Sequence, residues 1–580
     1  MINKTSREFC TALFAIFLFS SGAANSAVAG CHEPQDDFGT FFSLKNYTHS
    51  PLPTYGELKN ILPSPIYDKH PEWIETYWKA WKIAFTHFYE PTAQNHFVSQ
   101  YIDAGFNENV FLWDSSFMTF FTNFASPLVP GISTLDNFYA RQHRDGEISR
   151  EIVRDTGMSY EPWVNHECGS LMSRIGWANE PEGVHPVKYV GRSAPTPNPI
   201  FTLDTFDHPI LAWAELESYR VTGDRERLAR VWQPLVQHYR AFQKYLQQGN
   251  GLYITGWSSM DNSPRNEYLQ GGGTGVDTSA EMALFARCLS TIATLLDKPA
   301  DADAYSKEAA ELSKTINRLM WNRQKNFYFD LTGDGEQAPV RTIAAYWTLI
   351  AHVASSEQAA ALVDELSNPK TFGRPNAVPT LSADEPLYNP AGGYWRGSVW
   401  APTTTMVIKG LEEYGYFEVA RRIALQHVGL VASVYERTGT IWENYSPEKS
   451  QPGVGASGYL GRKDFVGWSG LGPIMYLLEY GIGLRPDAAH NILTWQLAPG
   501  ERLGCKLFRF NGHVVSLLAT PTNADQYKIT VQSDGSFTLK VSNGGDVSLF
   551  NVEKGDHVLN ASFPHIIGEV AVEQSAPELR

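Results

Sequence analysis

Five short segments of this 580-residue chain each place aromatic side chains beside an acidic or other polar side chain. They span residues 111–114, 256–268, 393–400, 441–447 and 465–469. Three of them hold carboxylic acids, and two of these acids, Asp261 and Glu443, are far apart in sequence. In glycosidic cleavage, one carboxylic acid protonates the leaving oxygen while a second carboxylate activates water on the opposite ring face. Aromatic walls suit the apolar faces of sugar rings, so the segments together indicate glycoside hydrolysis.

The chain between these segments repeats a pattern of helix, polar turn, helix and irregular loop. Four copies occupy residues 208–246, 279–321, 341–366 and 401–436. In the first copy, Gly223 suits a helix C-terminus and Asp224 suits the N-cap of the next helix. Helical hairpins joined by long loops are typical of a helical toroid, an (α/α) barrel with its functional loops at one end. A helical-repeat scaffold for protein binding would not need tryptophan-rich loops.

The composition changes near residue 490. From Ile492 onward, alternating apolar runs split by Asn-Gly, Ser-Asp-Gly and Gly-Gly turns predict the hairpins of a small β-sandwich. The proline-rich stretch 161–200 predicts a long loop that serves a site. We therefore predict a mainly α fold with a small C-terminal antiparallel β-sandwich. The expected parts are a signal peptide at 1–30, a tether and N-terminal extension at 31–70, a catalytic barrel at 71–489 and an accessory β-sandwich at 490–580.

The N-terminus has the pattern of an export signal. A short basic stretch precedes an apolar run over residues 9–24, and small residues follow it. The sequence Val-Ala-Gly-Cys at 28–31 resembles a bacterial lipobox and predicts lipidation of Cys31. Ordinary cleavage after Ala29 is the alternative. Either route predicts an exported bacterial protein, periplasmic or an outer-membrane lipoprotein, that meets a membrane only through this anchor.

Charge and cysteine content exclude several classes of function. The formal net charge of −15 argues against a nucleic-acid partner, because phosphate binding needs clustered lysine and arginine. Three cysteines beyond Cys31 make no disulfide framework, and no C-x-x-C or H-E-x-x-H spacing occurs. The acidic stretch 330–336 resembles a calcium loop faintly but fits a hairpin turn better. We therefore expect no metal and no cofactor.

Four motifs in a fixed order make the hydrolase hypothesis more specific. They are W-D-S-S-F from residue 113, S-M-D-N-S-P-R from 259, G-Y-W-R-G-S-V-W from 393 and E-N-Y-S-P from 443. Over roughly residues 70–490 they resemble the inverting glycosidases of glycoside hydrolase family 63. The resemblance is closest to the bacterial branch with mannosylglycerate hydrolase-like enzymes, and trehalases are more distant relatives. It implies an (α/α)6 barrel, with Asp261 as the general acid and Glu443 as the general base.

The resemblance also implies a set of substrate-binding residues. Asp114 matches the aspartate that holds sugar hydroxyls, and the aromatic residues of the other motifs match the walls. The predicted set is Trp113, Asp114, Trp257, Asn262, Arg265, Tyr394, Trp395, Arg396, Trp400, Asn444, Tyr445 and Trp468. Structural alternatives exist, since Asp114 could be an N-cap for a helix starting near Ser115 and Glu443 could cap a helix.

Two features of the 259–265 motif need explanation. Ser259 stands where related sequences usually have glycine. If this position requires a positive φ, serine would be strained by about 1 kcal/mol or more, and its hydroxyl would alter sugar specificity. Arg265 would lower the pKa of Asp261, whereas a general acid needs a raised pKa; burial by Trp257 would act in the opposite direction. We expect Arg265 to pair elsewhere or to contact substrate.

The function predicted from the sequence is an exo-acting, inverting hydrolase of an α-glycosidic bond in an oligosaccharide or small glycoside, with an α-glucoside expected. The carboxyl groups of Asp261 and Glu443 should then stand roughly 6.5–9.5 Å apart. A polysaccharide lyase on a helical toroid is one alternative, but a chain this acidic would repel polyuronates unless its cleft were basic. A non-catalytic glycan-binding lipoprotein is another, and the intact Asp261 and Glu443 argue against it.

Overall fold

The computed structural model describes residues 38–160, 203–256, 259–269, 272–455, 458–523, 525–543 and 546–563. Cys31, Trp257 and the predicted long loop 161–200 lie outside the described residues. No helix among the described residues is both long and apolar enough to cross a membrane.

The described chain up to residue 483 is mainly helical. Its α-helices are α1 Tyr55–Leu58, α2 Pro71–Ala84, α3 Leu112–Thr122, α4 Thr134–Ala140, α5 Leu203–Phe206, α6 Leu211–Thr222, α7 Arg225–Leu246, α8 Asn266–Leu269, α9 Val276–Leu295, α10 Pro299–Leu319, α11 Trp347–Ile350, α12 Ser356–Ser367, α13 Ala401–Glu413 and α14 Phe417–Thr438. A 3₁₀ turn at Trp468–Leu471 leads into a π-helix at Gly472–Ile482. The predicted mainly helical class is confirmed for this part of the chain.

Six helical elements contact one another in a closed ring. Helix α3 packs against α6, α6 against α9, α9 against α11, and α11 against α13. Helix α13 contacts the Trp468–Leu471 turn, and this turn packs back against α3. Helices α7, α10 and α14 are the second helices of their hairpins, and each packs against helices of the ring. Ring order therefore follows chain order, and the segments that precede the ring helices converge at one end.

Burial distinguishes ring helices from their partners. Every residue of α3 is buried, as expected for a helix surrounded by other helices. Helix α7 instead alternates buried and exposed positions, with its apolar side against the ring. Its start agrees with the prediction, because Gly223 ends α6 at φ +70° and the Asp224 carboxylate accepts a hydrogen bond from the Arg227 backbone N–H.

Strands dominate the C-terminal part. The strands are β1 Ser64–Tyr67, β2 Phe88–Tyr89, β3 Tyr101–Ile102, β4 Asn109–Phe111, β5 Glu151–Val153, β6 Trp321–Asn322, β7 Phe327–Tyr328, β8 Leu484–Asp487, β9 Ile492–Gln496, β10 Leu503–Phe510, β11 His513–Asn523, β12 Gln526–Ser533, β13 Phe537–Asn543, β14 Asp546–Val552 and β15 Gly555–Ser562. The larger sheets have the orders β1-β10-β11-β12-β15 and β14-β13-β9-β8. The rings of Phe510 and Phe537 lie 5.3 Å apart and join the two sheets.

Three details of the strand-rich part differ from the prediction. Strand β9 pairs with β13 in parallel, so the second sheet is mixed rather than wholly antiparallel. The N-terminal extension supplies β1, which pairs antiparallel with β10 through Ile66 opposite Gly504. The strand-rich region also starts at Leu484 rather than at residue 490, because β8 pairs with β9. A strand that comes from a distant part of the chain, such as β1, is hard to predict from the sequence, because its pairing depends on long-range contacts.

Candidate active site

A cavity of about 280 Å³ opens at the end of the ring where the ring helices begin. Its lining residues come from the segments that start or precede α3, α6, α9, α13 and the π-helix, and from the segments that enter the two-stranded sheet β4-β5. They are Phe106, Asn107, Phe111, Trp113, Asp114, Arg150, Asp207, Ser259, Asp261, Tyr394, Trp395 and Trp468. Six of the predicted site residues are therefore brought together here.

Asp114 occupies the first turn of α3, where the positive end of the helix dipole favours a carboxylate. It is not an N-cap, because Phe111 takes that position and no side chain caps the helix. The side chain is 5% exposed, and its Oδ1 has no hydrogen-bond partner within the described structure. Burial, followed by the nearby charge of Asp207, raises the pKa of Asp114 well above its usual range. An orphaned acceptor at a cavity wall is suited to a ligand hydroxyl.

The loop of Asp261 is fastened to the loop of Tyr394. The side chain of Asn262 donates a hydrogen bond to the Gly393 carbonyl at 3.0 Å and accepts one from the Trp395 backbone N–H at 2.9 Å. Nε of Arg396 donates to the Asn262 carbonyl at 3.0 Å. Asn262 and Arg396, predicted to bind substrate, are therefore loop-to-loop ties and do not line the cavity.

Tyr394 stands between the two proposed catalytic acids. Hydrogen bonding from its hydroxyl lowers the pKa of both Asp261 and Glu443, against larger opposing effects of burial. Tyr394 lines the cavity together with Asp261, and its hydroxyl is close enough to Glu443 to affect the pKa of that carboxyl group as well. The backbone of Tyr394 is held at φ +64°, an uncommon conformation for a residue other than glycine.

Glu443 is 5% exposed and is positioned by backbone groups. Its Oε2 accepts a hydrogen bond from the Arg462 backbone N–H at 3.0 Å, while its own carbonyl accepts one from the Trp468 indole N–H at 3.0 Å. Burial raises the pKa of Glu443, and the Arg462 backbone N–H and side-chain charge partly offset this effect. The side chain caps none of the described helices, and it lies beside the cavity rather than among its lining residues.

Asp261 is an exposed residue at the cavity, and protein atoms crowd its carboxyl group from the other sides. Solvent touches its side chain because the cavity opens onto it, while the surrounding protein desolvates the carboxyl group. This desolvation raises the pKa of Asp261, and the charge of Arg150 is the largest effect in the opposite direction. The cation that opposes the raised pKa is thus Arg150, not Arg265.

Arg265 was predicted to bind substrate, and this prediction is wrong. The side chain is fully buried and ion-paired with Asp277 and Asp330. Its Nη2 lies 2.8 Å from Asp277 and 2.6 Å from Asp330, and its Nε lies 2.8 Å from Asp330. The two carboxylates take four of the five N–H donors, Nη1 also lies 3.9 Å from Met260 Sδ, and the fully buried side chain has no surface for a sugar. Asp330, which belongs to the acidic turn at residues 330–336, is therefore a structural partner of Arg265.

Three further residues of the predicted set lie behind the cavity wall rather than on it. Trp400 is 1% exposed and stacks on Trp395, with ring centroids 4.3 Å apart. Asn444 is fully buried, and the hydroxyl of buried Tyr445 accepts a hydrogen bond from the Trp442 backbone N–H. They share motifs with wall residues, but successive positions in a turn face opposite sides. These three residues support the cavity wall and do not line the cavity.

Aromatic rings form one side of the cavity. Trp113 packs edge-on against Trp468 with centroids 5.7 Å apart and tilts against Trp395 at 6.4 Å. Phe106 contacts Trp468 at 5.2 Å. The parts of these rings that line the cavity offer an apolar platform for a sugar ring.

Sequence reasoning missed four lining residues, namely Phe106, Asn107, Arg150 and Asp207. Arg150 comes from the segment entering β5, which has no motif. Asp207 belongs to an Asp-His-Pro turn just before α6, and polar residues just before a ring helix were the signal that found Asp261. That signal could have found Asp207 as well.

The arrangement can supply a proton donor, a general base and hydroxyl acceptors around an aromatic platform. Within the described residues no group of three or more His, Cys, Asp or Glu side chains has an arrangement suited to a metal ion. The chemistry that these residues offer is acid–base catalysis on a sugar.

Known proteins point to the same chemistry. Residues 139–469 match the family model described as the mannosylglycerate hydrolase MGH1-like glycoside hydrolase domain. Over 213 residues the chain is 30% identical to the mannosylglycerate hydrolase of Thermus thermophilus, covering 36% of this chain and 48% of that enzyme. Over 236 residues it is 23% identical to the mannosyl-oligosaccharide glucosidase of Saccharomyces cerevisiae, covering 37% of this chain and 27% of that enzyme. The chain thus spans less than half the length of either curated relative.

A solved structure shares the fold. The family 63 mannosylglycerate hydrolase from Thermus thermophilus, in complex with glucose, matches with a TM-score of 0.50 at 20% identity, covering 68% of this chain and 98% of that chain. The resemblance inferred from the four motifs is confirmed. Because the family model covers more than half of its length, the chain belongs to the mannosylglycerate hydrolase MGH1-like domain family of glycoside hydrolase family 63.

Proposed function

We propose that this protein is an exo-acting, inverting α-glycosidase, with an α-glucoside as its substrate. Membership of a glycoside hydrolase family and the carboxyl-lined cavity support hydrolysis of a glycosidic bond. The cavity, at about 280 Å³, is smaller than the roughly 300–1,000 Å³ of sites for drug-sized ligands. This size supports removal of one terminal sugar at a time. The relative named for glucosidase activity supports the choice of sugar.

The observation that carries the proposal is the cavity that gathers Asp261 and Tyr394 beside aromatic rings, with Glu443 close enough to Tyr394 for each group to shift the pKa of the other. A phenol has one proton to donate and can also accept a hydrogen bond. It satisfies two carboxyl groups at once when one is ionised and accepts while the other is protonated and donates. That is the protonation pattern that an acid–base pair needs before the first step.

The motifs and contacts assign the two roles. Asp261, with its pKa raised by burial, protonates the glycosidic oxygen as the sugar–oxygen bond breaks. Glu443, ionised and held by the Arg462 backbone N–H, removes a proton from the water that attacks the anomeric carbon. The water enters opposite the leaving group, so the anomeric configuration inverts.

Two larger features belong to the same proposal. The closed ring of helices with its outer partners is taken to be an (α/α)6 barrel, which the fold shared with the family 63 enzyme supports. The protein is taken to be exported and anchored through lipid on Cys31, on the strength of the Val-Ala-Gly-Cys sequence.

The function is tested with a panel of p-nitrophenyl α- and β-glycosides and α-linked disaccharides. Wild-type protein should release glucose from α-glucosides, and Asp261→Asn should lower the rate by about 10²–10⁴-fold on substrates with poor leaving groups. The amide keeps the shape of the site, so sugar binding should persist. Retention of more than about a tenth of the wild-type rate would remove Asp261 from the acid role. Unsaturated products would indicate a lyase.

The anchor is tested separately by fractionation. Wild-type protein should sediment with membranes, because the several acyl chains of a bacterial lipoprotein anchor it stably. Cys31→Ala removes the lipid and should move the protein to the soluble fraction. Its activity in detergent should be unchanged. Soluble wild-type protein whose N-terminus is Gly30 would contradict the lipobox interpretation.

A further inference from the structure

A second polar wall of the cavity contains three residues that the proposed catalytic step does not use. They are Arg150, Ser259 and Asp207, all of which line the cavity. Nη1 of Arg150 donates to the Ser259 hydroxyl at 3.4 Å, and this hydroxyl donates to Oδ1 of Asp207 at 3.4 Å. Ser259 therefore stands between a cation and a carboxylate. It is absent from the residues with positive φ, so serine is not strained here and its hydroxyl is the feature that matters.

Asp207 is held rigidly from behind. Its Oδ2 accepts a hydrogen bond from the Trp113 backbone N–H at 3.1 Å, and its Oδ1 accepts one from the His208 backbone N–H at 2.9 Å. The residue is 3% exposed and adopts φ +63°, a conformation uncommon outside glycine that clusters at functional sites. A carboxylate has about four acceptor positions, and the described contacts of Asp207 use three. The cavity side has room for one more donor.

The charges of the cavity restrict the class of sugar. Among the described lining residues, Asp114, Asp207 and Asp261 face the cavity together with one guanidinium, that of Arg150. A uronic acid would bring its negative charge beside the Asp207 carboxylate and be repelled there, whereas a neutral hydroxyl donates a hydrogen bond to that carboxylate. Oδ1 of Asp114, buried without a partner in the described structure, is a second acceptor close to Asp207.

We propose that Asp207 accepts a hydrogen bond from one hydroxyl of a neutral terminal hexose, and that Ser259 determines which configuration of that hydroxyl is accepted. Ser259 fixes the Asp207 carboxylate on one side and keeps Arg150 from pairing with it directly. Loss of the serine hydroxyl lets the carboxylate and the guanidinium approach each other, and this withdraws the acceptor from the sugar. The inference rests on the proposed function and adds the part of the site that selects the sugar.

The contact is tested by a double-mutant cycle in which one change is made in the enzyme and the other in the substrate. kcat/KM is measured for wild type and Asp207→Asn on an aryl α-glucoside and on its 2-, 3-, 4- and 6-deoxy analogues. One deoxy analogue should be a poor wild-type substrate by about tenfold or more, and Asp207→Asn should erase most of that difference for this analogue alone. Independent losses at every deoxy position would overturn the contact. Asp303→Asn, on exposed α10, is the matched control and should behave as wild type.

Ser259 is tested by discrimination between epimers. Ser259→Ala should lower the preference for the best hexoside over its epimer at the hydroxyl found above by about fivefold or more, the worth of one hydrogen bond. Ser259→Gly should behave like Ser259→Ala, because the backbone is not strained. An unchanged preference in both variants would contradict the role of the hydroxyl.

Binding separates this inference from the catalytic proposal. Titration of glucose, mannose and glucuronic acid into Asp261→Asn protein measures sugar selection without turnover. One neutral hexose should bind best, glucuronic acid should bind weakest, and Asp207→Asn in the same background should reduce the preference. A wild-type enzyme inactive on all glycosides would end the proposed function, while this titration would still decide the inference. Tighter binding of glucuronic acid would overturn it.

Discussion

At the scale of single residues, the site concentrates carboxyl groups where burial disfavours their charge. Asp114, Asp261 and Glu443 all have a raised pKa, and burial is the largest cause for each. Folding therefore works against their ionised forms. These groups lower the free energy of unfolding while they supply acid–base chemistry, and such a trade-off between stability and activity is common in active sites.

Asp114→Asn should stabilise the protein at neutral pH. The folded-state pKa of Asp114 is raised, so its contribution to stability is complete below the unfolded pKa of about 3.9 and declines as pH rises. The neutral amide avoids this decline and should add roughly 0.5–2 kcal/mol to the free energy of unfolding at pH 7. Thermal unfolding at pH 7 and at pH 3.5 measures it. The gain should vanish at the lower pH, and a less stable variant at pH 7 would show that the carboxylate is well satisfied.

At the scale of elements, the proposed catalytic and sugar-binding side chains lie at the N-terminal ends of the ring helices. Hydrogen bonds between loops fix the geometry of these side chains. The sequence predicted these helices and motif loops well, because apolar periodicity and turn residues are local signals. It did not separate wall residues such as Trp395 from the supporting Trp400, since both sit in one aromatic motif. It also missed Arg150 and Asp207, whose approach to the site depends on the tertiary fold.

Asn262→Ala should damage catalysis more than stability. The substitution removes two of the three hydrogen bonds that tie the Asp261 loop to the Tyr394 loop, and the bond from Arg396 to the backbone carbonyl of residue 262 stays. Each is worth about 1 kcal/mol of stability, whereas a misplacement of about 1 Å at the acid can cost around 10²-fold in rate. Steady-state kinetics and thermal unfolding should show a large fall in kcat with a modest change in Tm. Asn523→Ala, which removes an exposed hairpin hydrogen bond far from the cavity, should leave kcat unchanged.

At the scale of the whole molecule, buried histidines limit stability in acid. His238 and His427 are enclosed by the helices, and burial lowers the pKa of each to about 3. Neither ring nitrogen of His427 has a hydrogen-bond partner among the described residues. Unfolding releases both rings to their ordinary pKa of about 6.5, so the unfolded chain binds more protons between these values.

His427→Gln should flatten the acid limb of the stability curve. Each buried ring lowers the free energy of unfolding by about 1.4 kcal/mol per pH unit as pH falls from about 6.5 toward 3. Denaturant unfolding between pH 7 and 4 should give a slope smaller by about that amount for the variant. His557→Gln, on strand β15, is the control. Equal slopes for wild type and His427→Gln would mean that His427 takes up its proton without unfolding.

The central claim is direct attack by water, with Asp261 as the acid and Glu443 as the base. Proton NMR during the first minutes of hydrolysis of an α-glucoside reports the anomer that is released before mutarotation. Inversion predicts β-glucose first, with the two carboxyl groups roughly 6.5–9.5 Å apart. Release of α-glucose first would mean retention through a covalent intermediate on Glu443 and would contradict the account.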